Sequence, residues 1–419
     1  MPRNRAGGWD HLLVVLALCA GGCVPGDGGR SANDDPASPR SLRAEDVPEW
    51  SAELELRIGS LDDPDYSLTY IRSLEVALDG TMYTLHTQEQ VVRMFSADGS
   101  FKALIGGRGS GPGEFENVAV MGWVADTLWV LDFRGYRFSQ FTPTGEFIGS
   151  FSVPYRSIEG LSAIQPPRAG GLLFDGTVHG EPPAFSHLVA DGTLTHRVPM
   201  LMTRDGTVTD TLPSIPIGRN EWAISDPDDP GRGGLYTRQP FGDGPLWSFV
   251  PGERALIILD RTAPPSRDDA ILHVSKLTFS GDTVFSRTYR FEPTPVSSEE
   301  VDSLLDERGS MMAEQGIFGV TAARGREWAA LTLYQPEFKP GVVGMVFGRD
   351  GSIWLSLGPD GTGQDDWVVL DSAGEPIGHL KLPTGLQIFV VDPPLLWASE
   401  RDELDVPYVV RFRMAGCRS

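Results

Sequence analysis

The sequence predicts an all-β fold, a six-bladed β-propeller with one helical insertion, and two observations carry this prediction. The first is a repeat: the segment 79–83 returns at 125–129, and the segment 98–100 returns at 144–146. Position 125 lies 46 residues after position 79, and position 144 lies 46 after position 98. The second is that each repeat holds several short apolar runs separated by turn residues. A period in the forties with several strands per unit is typical of a propeller blade.

The first 22 residues form a predicted signal peptide. Two arginines precede the apolar run 12–20, which is too short to cross a bilayer, and two glycines precede Cys23. This arrangement resembles a bacterial lipoprotein signal, which is cleaved before a cysteine that carries a diacylglycerol. The resemblance implies lipid attachment at Cys23, and Val24 after it favours the outer membrane under the usual lipoprotein sorting pattern. An ordinary secretory signal is the alternative.

Residues 23–49 are predicted to be a flexible tether. They are rich in Gly, Pro, Ser and Asp, and such a composition buries too little apolar surface to order itself. With the signal peptide removed and Cys23 lipidated, Cys417 is the one cysteine that remains in the mature chain. The sequence therefore predicts that sheet packing, without an intrachain disulfide, stabilises the fold.

The propeller is predicted to span residues 50–415 and to be closed by its two ends. The segment 53–59 alternates apolar and charged residues and ends in Ile-Gly, as does the segment 101–106, so it reads as the outermost strand of a blade. The C-terminal segments 395–399 and 408–414 lack an outer strand. Pairing the N-terminal strand with this C-terminal blade would close the ring and remove an open blade interface.

Two insertions account for the residues that exceed six blades of this period. The first, at about 201–240, is rich in prolines that interrupt strands. The second, at about 291–340, contains a predicted helix whose capping box is formed by Ser297 and Glu300. Its apolar stripe consists of Val301, Leu304, Leu305 and Met312. We consider two positions for this helix: a lid over one mouth of the propeller channel, or a helix packed on the flank of a blade.

The charge balance excludes one class of partner. Lys and Arg total 35 against 57 Asp and Glu, which gives a formal net charge of −22. No Lys or Arg cluster follows the first few residues, and a nucleic-acid binder would normally show one. We therefore expect a self-repelling, monomeric protein that does not bind nucleic acid.

The stretch Ile105–Phe115 is rich in glycine and ends in Gly-Pro-Gly-Glu-Phe. It resembles the NHL-type and bacterial six-bladed β-propeller families, whose blades end in such a loop. The resemblance extends over about 54–414 and implies a propeller that is often an interaction module. Some related propellers are lactonases, hydrolases or lyases that hold Ca²⁺ or Zn²⁺ at the channel mouth. The glycine spacing does not match a phosphate-binding loop, so turn chemistry explains it better.

The candidate inner strands offer few groups for chemistry. They cover residues 73–78, 118–123, 246–250, 341–347 and 387–391. Glu75 is the one charged residue in them, and Asn117 and Asp392 stand just outside them as further candidate polar residues at the channel mouth. A metal site needs several such groups converging on one ion. We predict no catalytic residue, no metal ligand and no cofactor. Binding of Ca²⁺ is the alternative to this prediction.

Three functions follow from these patterns. We favour non-catalytic binding of a protein, peptide or glycan, on a propeller face or beneath the helical insertion, by a lipid-anchored protein of the bacterial cell envelope. The alternative is a metal-dependent hydrolase, lactonase or lyase with its site in the central channel. A purely structural envelope component is the third interpretation. Polar groups clustered in the channel would favour an enzyme, whereas an apolar channel would favour binding or a structural role.

Overall fold

A computed structural model describes residues 39–153, 161–168, 171–177, 196–203, 205, 207–216, 218–229 and 234–417. The predicted signal peptide, Cys23 and residues 24–38 of the tether lie outside these residues. Within them, the strands form six sheets of four or five strands and one sheet of two strands, accompanied by two α-helices. Consecutive antiparallel sheets of this kind are the blades of a β-propeller, which is the fold of this chain.

The first two complete sheets repeat with the period read from the sequence. Two strands precede them, β1 (Arg40–Ser41) and β2 (Ser51–Ile58). The first sheet contains β3 (Ile71–Val76), β4 (Met82–His86), β5 (Val91–Phe95) and β6 (Phe101–Gly106). The second contains β7 (Val118–Val124), β8 (Thr127–Asp132), β9 (Arg137–Phe141) and β10 (Phe147–Ser152). β9 and β10 begin 46 residues after β5 and β6, so the sequence repeat is also a structural repeat.

The third sheet reaches into the segment that the sequence analysis assigns to the first insertion. It contains β11 (Leu161–Arg168), β12 (Gly171–Thr177), β13 (His196–Met202), β14 (Val208–Thr211) and β15 (Ile215–Pro216). A separate hairpin follows, β16 (Glu221–Ser225) and β17 (Gly234–Arg238). Since β14 and β15 pair with β13, the inserted part begins later than residue 201. The prolines limit these strands to two to four residues without excluding them from the sheet.

The fourth, fifth and sixth sheets contain the strands from β18 to β28, together with β1 and β2 from the N-terminal part of the chain. The fourth contains β18 (Leu246–Phe249), β19 (Ala255–Asp260), β20 (Ile271–Thr278) and β21 (Thr283–Arg290), with β1 added in parallel to β21. The fifth contains β22 (Gly344–Phe347), β23 (Ile353–Pro359), β24 (Gln364–Leu370) and β25 (Pro376–Pro383). The sixth contains β26 (Gln387–Asp392), β27 (Leu395–Arg401) and β28 (Pro407–Ala415). β2 pairs antiparallel with β28, so residues from both ends of the chain share this sheet.

The second insertion contains two helices, where the sequence analysis predicts one. α1 (Ser298–Glu314) begins at the predicted cap, since the Ser297 side chain accepts a hydrogen bond of 3.1 Å from the Glu300 backbone N–H. α2 (Ala322–Thr332) follows and has a Thr321 cap that the sequence analysis missed. Buried side chains of the two helices and of Leu333 after α2 pack with those of the β16–β17 hairpin and of Phe241, three residues after it. The buried residues of this cluster are Trp222, Ile224, Phe241, Leu305, Met312, Trp328, Ala329 and Leu333. The insertion therefore has an apolar core of its own.

Residues 39–50 form an N-terminal strap along the fourth, fifth and sixth sheets. Leu42 is buried, and the Trp50 ring packs edge-to-face on Trp354 with 6.0 Å between centroids. The Arg40 guanidinium donates two hydrogen bonds of 2.6 Å to the Glu375 carboxylate. The sequence analysis extends the tether to residue 49, whereas the structure has residues 39–49 in contact with the sheets. A few well-placed apolar residues order this segment although its average composition is polar.

The glycine-rich stretch is a tight connection between the first two sheets. Phe115 is fully buried, and a Cβ atom at Gly106 would lie 2.0 Å from the Phe115 ring. Gly106 also has a φ of +80°, which disfavours any other residue. Turn geometry and close packing therefore account for this motif, as the sequence analysis predicts.

Six strands stand at the inner edges of the described sheets. β3, β7, β11, β18, β22 and β26 are each the terminal strand of a sheet, and neighbouring members contact one another in the order β18, β22, β26, β3, β7, β11. We call these six the inner strands. Gly348, which follows β22, forms a parallel bridge with Val391 near the end of β26. β22 and β26 thus have their C-terminal ends on the same side of the molecule.

Candidate functional site

A cavity of about 870 Å³ lies at the C-terminal ends of the inner strands. We call this side of the molecule the pocket end. The residues that line the cavity come from the first, second, fourth, fifth and sixth sheets. Because each sheet contributes the end of its inner strand and the turn that follows, the cavity exists only when the sheets are assembled.

The inner part of the cavity, the throat, is apolar. It is lined by Val76, Val120, Met121, Trp123, Val124, Phe347, Phe389 and Val390. Trp123 packs edge-to-face on Tyr83, with 5.1 Å between ring centroids. The Tyr83 hydroxyl donates a hydrogen bond of 2.6 Å to the Pro143 carbonyl, and burial raises the pKa of Tyr83 to about 12, with a smaller contribution from Asp79. This neutral tyrosine fixes the Trp123 ring at the throat.

The mouth of the cavity, the rim, carries charges of both signs. They are Glu75, Asp79, Lys102, Asp126, Glu253, Arg254 and Arg349. Several of them are already paired within the protein: Glu253 accepts from the buried Lys276 at 2.8 Å, and Arg254 lies 3.2 Å from Asp210. A backbone hydrogen bond from Thr81 lowers the pKa of Asp79, so this rim carboxylate is ionised at neutral pH. The rim is thus hydrated and charged around an apolar centre.

Arg349 connects three sheets at the rim. Its backbone N–H donates to the Val391 carbonyl at 2.9 Å, and its guanidinium donates to the Asp392 carboxylate at 3.2 Å and to the Val76 carbonyl. These contacts join the fifth, sixth and first sheets. Arg349 therefore fixes the relative positions of inner strands that form the throat.

The three polar residues predicted at the channel mouth do not form one group. Glu75 lies near the end of β3 and lines the cavity. Asp392 ends β26 beside the cavity and is ion-paired with Arg349. Asn117 lies before the first residue of β7, where it lines a separate cavity of about 580 Å³ together with Phe133 and Arg134. Glu75 and Asp392 are thus at the pocket end, and Asn117 is at the opposite end of its strand.

The polar groups of the described residues do not converge as metal ligands do. Within the described ranges, no group of three or more His, Cys, Asp and Glu residues could hold a metal ion. The histidines have other neighbours: His86 is buried against Thr84 at 2.8 Å, and His379 lies 3.1 Å from Asp366. Asp392 is ion-paired with Arg349, with 3.2 Å between Nη1 and Oδ2.

The N-terminal ends of β18 and β22 are closed by polar contacts. We call this side the insertion end. The buried Arg261 guanidinium donates to the carbonyl groups of Gly244 and Val342, which precede these strands, at 2.8 and 2.9 Å. Burial lowers the pKa of Arg261 to about 10, so it stays charged at neutral pH. Arg238 of the inserted hairpin donates to the Val343 carbonyl at 2.6 Å. The insertion is therefore attached at the end opposite the 870 Å³ cavity.

A buried carboxylate holds the insertion in place. Asp243 is 3% exposed and accepts two hydrogen bonds from Arg219, at 3.0 and 2.7 Å, and one from the Tyr334 hydroxyl at 3.0 Å. The Ala263 backbone N–H donates to the same carboxylate at 3.2 Å. The four donor groups belong to Arg219 before the β16–β17 hairpin, to Tyr334 after α2, and to Ala263 between β19 and β20, so Asp243 joins both inserted segments to the fourth sheet.

The sequence analysis missed most residues that shape the cavity. Leu78, Trp123, Phe347 and Phe389 lie in the predicted inner strands without a predicted role, and Arg349 is not among the predicted site residues. A usable signal was the position of these residues at the C-terminal ends of the candidate strands. Such ends meet on one side of a propeller when the inner strands run in the same direction.

Among the described residues, no helix is long and apolar enough to cross a membrane. No protein-family model matches the chain, and no curated protein matches it either. Solved structures do resemble it. A putative exported protein from Bacteroides fragilis has a TM-score of 0.46 at 11% identity, over 90% of this chain and 98% of that one. A member of the DUF4221 family from Bacteroides vulgatus has a TM-score of 0.44 at 12% identity, over 88% and 99%. A catalytically inactive variant of virginiamycin B lyase from Staphylococcus aureus, with quinupristin, has a TM-score of 0.40 at 10% identity, over 87% and 99%.

Proposed function

We propose that this protein is a non-catalytic binding module whose ligand enters the 870 Å³ cavity at the pocket end. The observation that supports the proposal is the chemistry of the cavity: an apolar, aromatic throat surrounded by a charged rim. Binding sites commonly combine an apolar interior with a few polar groups that orient the ligand. Several charged side chains of the rim are engaged in ion pairs within the protein. We propose that the ligand binds without a metal or a cofactor.

The proposal includes a closed ring of six blades. Three features support it: the six sheets of four or five strands, the pairing of β2 with β28, and the succession of contacts between the inner strands. A closed ring leaves no sheet interface open for another chain, which favours a monomer. A variant that lacks residues 51–58 tests this closure by limited proteolysis. If β2 closes the ring, the variant should be less stable than the wild type and be digested faster.

We further propose that the protein is anchored in the bacterial cell envelope, on the outer membrane, by a lipid on Cys23. The proposal rests on the lipoprotein-like signal and on the tether that follows it. Metabolic labelling with a radioactive fatty acid tests it: the wild-type chain should be labelled and sediment with outer-membrane vesicles. A Cys23→Ser variant should be unlabelled, and labelling of that variant would contradict the proposed attachment site.

The binding function is tested by closing the throat. Val124 is half-buried at the end of β7 and lines the cavity, so Val124→Arg should fill the throat while its guanidinium reaches solvent. Val284→Arg, on the exposed outer strand β21, is the matched control because Val284 is 55% exposed. Both variants and the wild type are screened against peptides, oligosaccharides and lactones by tryptophan fluorescence and melting temperature.

We expect a ligand that binds the wild type and the Val284→Arg control and loses at least tenfold in affinity for Val124→Arg. Equal binding by all three proteins would place the ligand elsewhere and contradict the proposal. Turnover of a lactone or ester by the wild type, lost in Val124→Arg, would contradict the non-catalytic function. Metal analysis before and after chelation is run on the same samples.

A further inference from the structure

We infer that the ligand of the pocket end is a segment of a partner protein, with one large apolar side chain for the throat and basic flanking residues for the rim. This inference rests on the proposed binding function of the cavity. It follows from one exposed leucine, from the rigidity of the turn that carries it, and from the distribution of charge.

Leu78 is the feature that distinguishes a macromolecular ligand from a small one. It belongs to the turn between β3 and β4, lines the cavity, and is 98% exposed. A ligand that fills only the throat would leave this side chain in water. A partner that also covers the rim would bury it, and burying a leucine side chain completely is worth about a tenfold gain in affinity or more.

The turn that carries Leu78 is already ordered. The Ala77 N–H donates to the Thr81 carbonyl at 2.8 Å, and the Gly80 N–H donates to the Ala77 carbonyl at 2.9 Å. The Asp79 carboxylate accepts from the Thr81 N–H at 2.9 Å. A partner therefore meets a preorganised apolar contact and loses little free energy in ordering it.

The lining has the pattern of a protein interface. Its apolar residues are in the throat and its charged residues are on the rim, which is the usual arrangement of an interface centre and its edge. A glycan site would be expected to place amide groups beside its aromatic rings. The described residues that line this cavity include no Asn or Gln.

The charge of the molecule favours a basic partner segment. Two of the three rim cations, Arg254 and Arg349, are ion-paired with Asp210 and Asp392, which are not part of the lining. Asp126 adds an exposed carboxylate to the rim, and the whole chain carries a formal net charge of −22. Such a field attracts a basic segment and repels an acidic one.

The test uses a phage-displayed library of random twelve-residue peptides as the probe. The library is selected on the immobilised full chain and depleted on the Val124→Arg variant, so that enriched peptides depend on the throat. Affinities of the enriched peptides are then measured for the wild type, Leu78→Asp and Leu404→Asp. Leu404 is the matched control, because it is 78% exposed in the turn between β27 and β28, at the opposite end of the sheets.

We expect enriched peptides to contain one large apolar residue flanked by Lys or Arg. Leu78→Asp should weaken their binding at least tenfold, whereas Leu404→Asp should change it less than twofold. Binding that needs the throat but is unaffected by Leu78→Asp would overturn the inference and leave the proposed function standing. Peptides that bind Val124→Arg as well as the wild type would overturn both. Failure to enrich any peptide, or enrichment of acidic peptides, would overturn the inference alone.

Discussion

The two ends of the inner strands differ in what fills them. At the insertion end, the buried Asp243 and Arg261 satisfy donors and acceptors from several segments, and the inserted hairpin and helices add an apolar core. At the pocket end, apolar side chains of five sheets leave an open cavity, and Leu78 extends into solvent. One end therefore carries stabilising contacts, whereas the other end leaves apolar side chains facing an open cavity.

The largest effect is expected in the core of the insertion. Trp222 is fully buried, and its indole N–H donates to the Ala329 carbonyl at 3.2 Å. Trp222→Ala should lower the free energy of unfolding by about 3–5 kcal/mol, because it removes a fully buried aromatic side chain and leaves a large cavity. Urea denaturation measures the change. A loss below about 1 kcal/mol would contradict the view that this end stabilises the molecule.

The next effect concerns the buried carboxylate at the insertion end. Asp243→Ala removes the acceptor of the Tyr334 hydroxyl, the Ala263 N–H and the Arg219 guanidinium. We expect a loss of about 1–3 kcal/mol in unfolding free energy, since the half-buried Tyr334 hydroxyl and Ala263 N–H lose their acceptor. Asp126→Asn at the pocket end is the control and should stay within about 0.5 kcal/mol, because Asp126 is exposed. Equal losses in the two variants would remove the contrast between the ends.

The free energy of unfolding should also depend on pH through His86, which does not line the cavity. Burial lowers the pKa of His86 to about 3, from an ordinary value of 6.5. Between these two pH values the unfolded chain binds a proton that the folded chain excludes, so stability falls as the pH drops below 6.5 and is retained above it. The loss is at most about 2 kcal/mol by pH 5, at about 1.4 kcal/mol per pH unit.

Comparison of the wild type with His86→Gln isolates this contribution. Urea denaturation at several pH values should show a flatter dependence between pH 5 and 6.5 in the variant, and parallel curves above pH 7. Curves that remain parallel down to pH 5 would show that His86 does not contribute to acid sensitivity.

The smallest effect on stability is expected at Leu78. Because its side chain is 98% exposed, Leu78→Asp should change the free energy of unfolding by less than about 0.5 kcal/mol. The same substitution should weaken ligand binding, so the two measurements separate stability from function at this position. A large loss of stability would mean that Leu78 packs within the folded chain. It would contradict the view that this residue of the pocket end does not stabilise the fold.

The repeat was predictable because turn residues and strand lengths recur at a fixed spacing. The offset of 46 residues places β9 and β10 correctly from β5 and β6, and the Ser297 cap correctly starts α1. Local signals of this kind depend on a few neighbouring residues. The packing of residues before 50 was not predicted, since Leu42 packs among residues of distant sheets and not against its neighbours in sequence.

The candidate site was less predictable for a related reason. Glu75 was found because charge is rare on the inner strands, and it does line the cavity. The apolar residues of the throat resemble ordinary core residues in the sequence, and only assembly of the sheets leaves them facing a cavity. Asn117 was grouped with Glu75 because it stands just outside a predicted inner strand, although the two residues lie at opposite ends of their strands.

The most direct test of this account is hydrogen exchange of the full chain with and without an enriched peptide. Binding at the pocket end predicts slower exchange in residues 76–81, 120–127 and 389–392, with no change in residues 219–245 and 332–343. Protection confined to residues 219–245 and 332–343 would place the ligand at the insertion end and would contradict binding at the pocket end.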